Sequence, residues 1–354
     1  MPIHIISQRT NQTIIFTAAA VIILLMVNQA QTLIAMMLFS FFAALIGTPP
    51  VQWLERHHIP SLAAVAIVML GIIALLVIVG GVVAGSVNMF STLLPSYQAR
   101  IQEQMLAIKP WLTSRNITLN DTFIVQYINP GIIMGLAVNI LQGFSLALSN
   151  IIIVLLTVLF ILIEASGFPL KLRAILGDPH RNFSGFTLFI NDVERYLVIK
   201  TFISAVTGIL ITVWLTFLGV DSPVLWGFLA FLFNYIPNVG STLAAIPAVL
   251  LAFVQLGTQS ALLATAGYMT INVVLDNVIE TKMMGTRLGL STLVVFISLI
   301  LWGSLLGSIG MVLCIPLTMT VKFACEQKKE LHWIAVLLGP EDENPVSKVK
   351  AAVL

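Results

Sequence analysis

The chain has 354 residues, 58% hydrophobic and 9% charged, with 17 Lys and Arg against 15 Asp and Glu. Soluble domains carry about 25% charged residues, so this composition and a mean hydropathy of +1.03 exclude water as the main solvent. The formal charge of +2 identifies no partner, and no nucleic acid is expected; in lipid, the placement of charges matters more than their sum.

Asp, Glu, Lys and Arg are all absent between Arg9 and Glu55, Arg56 and Arg100, Asp121 and Glu164, Lys200 and Asp221, Asp221 and Asp276, and Arg287 and Lys322. About 20 apolar residues cross a ~30 Å hydrocarbon core. Every stretch exceeds that length except Lys200–Asp221, which just meets it. Backbone amides cannot stay unpaired in lipid, and the stretches lack the ~10-residue alternation of barrel strands. The fold class is therefore all-α, a polytopic helical membrane protein with the bilayer as its partner.

The N-terminal segment, 1–85, holds three expected spans. Arg9 is followed by a long apolar run without a small-residue cleavage pattern, so the first span is read as retained. Residues 13–28 and 32–47 form two spans turning at Asn28, Gln29 and Gln31, and Thr48-Pro49-Pro50 stops the second. The third runs over 61–84, where Gly81 and Gly85 have the spacing of a close helix contact. Residues 86–145 carry Arg100, Glu103, Lys109, Arg115 and Asp121 in amphipathic sequence and read as an extramembrane, periplasmic helical arm. Within 146–198, a fourth span ends at Glu164 and a cytoplasmic amphipathic segment follows.

Residues 199–325 form a C-terminal core with broken helices. The fifth span covers 199–219. Asn234-Tyr235-Ile236-Pro237-Asn238-Val239-Gly240 then interrupts an apolar region, either where two spans meet or where a re-entrant hairpin turns. A further helix covers 259–281. The block 288–325 is broken by Gly303, Gly307 and Gly310 and carries Pro316, which suggests a second hairpin-like unit. Cys314 and Cys325 read as small core residues. The tail, 326–354, is polar.

With the N-terminus inside, all Lys and Arg except Arg100, Lys109 and Arg115 fall on the cytoplasmic side. The positive-inside rule therefore places both termini in the cytoplasm.

Several chemistries lack their motifs. No Gly precedes a Lys, so the phosphate loop G-x-x-x-x-G-K-[ST] is missing, as are G-x-S-x-G and H-E-x-x-H. His57 and His58 are adjacent and His4, His180 and His332 stand alone, so neither a metal nor any other cofactor is expected, and an enzyme is not.

The candidate pathway begins at the interrupted segment. Pro237 removes a donor and strains the preceding turn, and Gly240 permits conformations closed to other residues. Unwound backbone at membrane depth must be satisfied by protein or by a watery cavity, and such breaks mark substrate sites in secondary transporters. Asn234 and Asn238 add donors and acceptors for a neutral polar solute; the plainer reading is a tight turn. Asp276 and Glu280 share a helix face with Asn272, and Asn277 adds a further polar group. In a helix over 259–281, Asp276 lies about 9 Å from the midpoint and Glu280 about 15 Å. Asp276 is thus a candidate for a solute or proton role, and Glu280 for the interface, the alternative being a helix end paired with Lys282 or Arg287. Gly303, Gly307, Gly310 and Pro316 read as hinge or close-packing positions.

The run Asn234–Gly240 with Ala245-Ile246-Pro247, Asn277-Val278-Ile279-Glu280 with Met284-Gly285, Gly289-Leu290-Ser291-Thr292-Leu293-Val294-Val295-Phe296, and Gly303…Gly307…Gly310…Pro316 resembles the autoinducer-2 exporter family. The likeness covers nearly the whole chain and is densest over 223–325. It implies a bacterial inner-membrane permease of about eight spans that assembles as a pentamer and exports autoinducer-2. Other members of that family are associated with sodium/proton antiport. Thr281 stands where the family usually has proline, so the helix is expected to continue toward Lys282. Three functions follow for test: signal export, which suits an uncharged Asn site; sodium or proton coupling, which suits Asp276; and a non-transporting oligomeric scaffold or channel.

Overall fold

The computed structural model describes residues 29–113, 150–176, 184–237, 239–284 and 289–340. The expected first span, the later part of the arm, Asn238, Gly285, Arg287 and the tail beyond 340 lie outside the described residues. Among the described residues every regular element is helical. Five stretches are long and apolar enough to cross a membrane: Gln31–Arg56, Ser61–Ser86, Gly185–Leu218, Thr258–Met284 and Thr292–Val312. The protein is a polytopic helical membrane protein. It divides into two compact units, one of Ala44–Leu288 and one joining the chain up to Ala43 with that from Gly289 onward.

Helix α1 (Gln31–Arg56) runs through Pro49 and Pro50, so the expected stop at Thr48-Pro49-Pro50 is displaced to His57-His58, where His58 takes a positive φ of 64°. Prolines remove single donors without ending a helix that its neighbours hold. The Thr48 hydroxyl adds a 2.9 Å bond to the Ala44 carbonyl in the turn ahead of them. Helix α2 (Ser61–Thr113) has 53 residues and is about 80 Å long at 1.5 Å per residue. The third span and the first part of the expected arm are therefore one rod. Among the described residues no atom lies within 4 Å of a Cβ built on Gly80, Gly81 or Gly85, so none of them gives Gly81-x-x-x-Gly85 a close helix contact.

Helix α3 (Ile151–Leu176) continues beyond Glu164, and its apolar part, Ile151–Ala165, stops beside that residue. Helix α4 (Ser184–Leu218) is likewise longer than the fifth span and takes in Asp192, Glu194, Arg195 and Lys200. A hairpin follows, formed by α5 (Pro223–Phe233) and α6 (Gly240–Leu256). Their 11 and 17 residues rise about 16 and 26 Å, short of the ~30 Å core. Those lengths fit a hairpin that enters and returns. Helix α7 (Thr258–Asn272) passes into a π-helical stretch, Val273–Glu280, and then into α8 (Thr281–Met284). The helix continues through Thr281, as the residue's lack of a proline ring predicts.

Packing within this unit relies on small residues, which substitute for a hydrophobic driving force in lipid. Ala244, Ala248, Ala252 and Ala264 are wholly buried against Ile211, Leu215, Trp226 and Tyr268. At the α4–α5 crossing a Cβ on Gly208 would meet the Gly227 carbonyl oxygen at 2.7 Å, and one on Gly227 would collide with Thr212 Oγ1.

The other unit is built on α9 (Thr292–Val312), α10 (Cys314–Glu326) and α11 (His332–Leu338). Ser291 caps α9, its hydroxyl accepting from the Val294 amide at 3.2 Å. Gly307 has φ 67°, ψ −148°, a region essentially reserved for glycine. There the helix reverses: a Cβ on Gly303 would lie 2.9 Å from Met311 Cγ, and one on Gly310 would strike the Trp302 carbonyl oxygen. A straight helix would hold residues eight apart at about 12 Å. The second hairpin expected from sequence is thus present, and Thr292–Val312, though long enough, does not run as one straight span. Pro316 is buried near the start of α10. The Thr318 hydroxyl accepts from the Trp302 indole at 3.1 Å and lies 2.8 Å from Ser298 Oγ.

Candidate functional site

The Asn234–Gly240 break is a compact turn and not an open stretch of unwound backbone. The amides of Asn234, Tyr235, Ile236, Val239 and Gly240 donate to the carbonyls of Ala230, Leu232, Phe233, Pro237 and Ile236 at 2.7 to 3.3 Å. Gly240 is required because a Cβ there would collide with the Phe233 carbonyl oxygen. The side chains of the turn are also engaged. Asn234, 3% exposed, donates through Nδ2 to Ser204 Oγ at 3.0 Å, and the Tyr235 hydroxyl donates to Thr201 Oγ1 at 2.9 Å. The break therefore fixes the α5–α6 hairpin to α4, and the Asn234 donor expected there for a solute is in use within the protein.

The groups left without partners lie on α7 and the π-helical stretch that continues it. Among the described residues, the buried side-chain polar atoms lacking a hydrogen-bond partner are Tyr268 Oη, Asn272 Oδ1 and Asp276 Oδ1. With Glu280 they recur every fourth residue. In an α-helix such residues drift ~40° around the axis at each step. Over Val273–Glu280 the i→i+5 bonding of the π-helix makes four residues fall short of a turn, which reverses the drift and keeps the set on one face. Asn277 is exposed on another side and does not join it.

This face meets α4. Lys200 Nζ donates to both oxygens of Glu280, at 2.9 and 2.8 Å, with the two side chains 7% and 15% exposed. Glu280 pairs with Lys200, then, and not with Lys282. Asp276 lies one turn further along and within electrostatic reach of both charges. Lys200 was not singled out by sequence because it reads as a span boundary. The available signal was the short Lys200–Asp221 interval: a helix that begins at Ser184 places this lysine near its centre.

Two cavities adjoin α4. One, of about 620 Å³, is lined by Glu194, Arg195, Val198 and Ile199 together with Lys282 and Met283. The other, of about 520 Å³, is lined by Ser86, Met89, Thr216, Asp221 and Pro223 among others. Ile199 and Thr216 are about 26 Å apart along the helix, and Ser204 lies between them on it. Among the described residues no three His, Cys, Asp or Glu side chains converge as a metal set. The arrangement suits a polar, non-covalent passenger: buried acceptors on one helix, a lysine held by one carboxylate beside a second, and a cavity toward each end.

A profile described as AI-2E family transporter matches residues 13–330. AI-2 transport protein TqsA of Escherichia coli (strain K12) is 41% identical over 310 residues, 88% of this chain and 90% of that protein. A putative transport protein of Haemophilus influenzae is 34% identical over 94% of this chain and 97% of its own length. The putative transport protein YhhT of Escherichia coli (strain K12) is 32% identical over 89% and 90%.

Proposed function

The chain belongs to the AI-2E transporter family, and from that premise we propose that it is a secondary transporter of the bacterial inner membrane that exports the small polar signal autoinducer-2. The observation that carries the reading is the row of unpartnered buried atoms on Tyr268, Asn272 and Asp276. Polar groups in a membrane bundle are costly and ordinarily paired, so a row left open favours a hydroxylated solute that supplies the missing bonds. Asn272 and Asp276 bind in this reading, and Asn234, Pro237 and Gly240 hold the hairpin against α4. Asn277 and Glu280 complete the polar helix. Both termini are cytoplasmic, and the protein works as a homo-oligomer, a pentamer by family likeness, without catalysis.

A second reading, sodium/proton antiport, is favoured by one feature. Asp276 and Glu280 offer two carboxylates to the single ammonium of Lys200, which leaves one acid for a cation or proton. Uptake of labelled autoinducer-2 into inverted proteoliposomes, with and without sodium and proton gradients, separates the readings. Accumulation of signal supports export, and gradient collapse without signal uptake supports antiport. Movement of neither leaves a scaffold or channel.

A further inference from the structure

We propose that the Lys200–Glu280 ion pair is the closed cytoplasmic gate of the pathway, and that Asp276 is the alternative partner that receives Lys200 when the gate opens. This rests on the transport reading for its purpose, but its geometry is independent of the substrate.

The order of groups along two helices carries the proposal. On α4 the sequence is cavity wall (Glu194, Arg195, Ile199), then Lys200, then Ser204 beside Asn234. On the facing helix it is cavity wall (Met283, Lys282), then Glu280, then the unpartnered Asp276 and Asn272. Both helices therefore place the pair between a 620 Å³ cavity and the buried polar row. The cavity lies at the end that carries Arg195 and Lys282, the side that charge asymmetry assigns to the cytoplasm. Nothing polar can pass along this face while Lys200 bridges the two helices with both carboxylate oxygens engaged at 2.8 and 2.9 Å.

The same geometry supplies the open position. Asp276 is four residues from Glu280, about 6 Å along the axis, within the swing of a four-carbon lysine stem. Its Oδ1 is buried without a partner, so moving Nζ from Glu280 to Asp276 exchanges one ion pair for another. It leaves Glu280 two residues from Lys282 in the cavity wall. Both acids sit on the π-helical stretch, a helix form associated with functional sites. Shifting that stretch toward α geometry turns the residues on either side relative to one another about the axis, which provides a local motion able to trade Glu280 for Asp276 opposite Lys200.

The test is thiol accessibility from the cytoplasmic side. Cys314 and Cys325 are replaced by Ala, Asn272→Cys or, separately, Ser204→Cys is added as reporter, and inside-out vesicles are treated with a charged, membrane-impermeant methanethiosulfonate. With the pair intact, labelling is slow. Glu280→Gln and Lys200→Met should each raise the rate at least tenfold, and the exchange Lys200→Glu with Glu280→Lys should return it to the slow value. Asp276→Asn, in the protein without a reporter cysteine, should cut transport while labelling in the matching reporter protein stays slow. Equal rates in all variants, or fast labelling with the pair intact, overturn the gate. If labelling behaves as expected and autoinducer-2 is not carried, the substrate reading fails and the gate stands.

Discussion

The Tyr97 hydroxyl donates a 2.6 Å hydrogen bond to Asp221 Oδ2, tying α2 to the connection between α4 and α5. The same junction holds the end of α6: Gln255 Oε1 accepts from the Asp221 amide at 2.9 Å, and Arg100 Nη1 donates to the Gln255 carbonyl at 2.8 Å. Three helix ends are thereby fixed to the body of α2 beside the second cavity.

Tyr97→Phe should cost about 1.5–3 kcal/mol, the range for a hydrogen bond to a charged group, read as a lower Tm in detergent. Burial first, then the Asp221 hydrogen bond and charge, hold the Tyr97 phenol above its ordinary range. A group with a raised folded value contributes fully below its unfolded pKa of ~10 and loses that contribution above it. The Tm of the parent should thus fall more steeply above about pH 10 than that of Tyr97→Phe. Parallel curves would remove this bond as the cause.

Asn234 and Asn272 should separate stability from transport. Asn234→Ala breaks the bond to Ser204 and should cost about 0.5–1.5 kcal/mol, visible as a lower Tm, with efflux reduced through the misplaced hairpin. Asn272→Ala removes an amide whose buried Oδ1 has no partner among the described residues, so Tm should hold. A lost solute contact of about 1.4 kcal/mol lowers efflux tenfold. Unchanged autoinducer-2 efflux in Asn272→Ala vesicles would remove this residue from the site.

Asp276→Asn distinguishes the two transport readings. Loss of sodium-dependent proton movement, followed with a pH-sensitive dye in proteoliposomes, favours antiport. Reduced signal efflux with no proton movement in the parent either favours export.

Lys200→Met leaves Glu280 and Asp276 without a cation and should destabilise by about 3–5 kcal/mol, the cost of removing one partner of a buried pair. The exchange Lys200→Glu with Glu280→Lys should recover most of it. Thermal unfolding of the two proteins in one detergent makes the comparison.

Gly227→Val forces a side chain into the α4–α5 crossing, where a single Cβ already collides with Thr212 Oγ1. Overpacking of this kind costs about 1–3 kcal/mol or more. Gly71, beside which no described residue lies within 4 Å, is the control, and Gly71→Ala should leave Tm unchanged.

Hydrophobicity and the spacing of charges determined that this chain is a helical membrane protein, because lipid forbids unpaired amides and any sequence this apolar must fold accordingly. The motif-bearing turns at Asn234–Gly240 and Gly303–Gly310 were also legible, since Pro and Gly act on the backbone locally. Element ends were less so: Thr48-Pro49-Pro50 does not stop α1, and the helices that hold the fourth and fifth spans run on past Glu164 and begin before Lys200, because a charge marks where a helix leaves lipid and not where it ends. The polar face was visible in Asn272, Asp276 and Glu280, which share one helical repeat. Only the tertiary structure decided that Asn234 is spent on Ser204, that Tyr268, Asn272 and Asp276 are left open, and that Glu280 faces Lys200, 80 residues away in sequence. Those pairings depend on which helices touch and on a π-helical stretch that holds its face in line, and neither is encoded in any one segment.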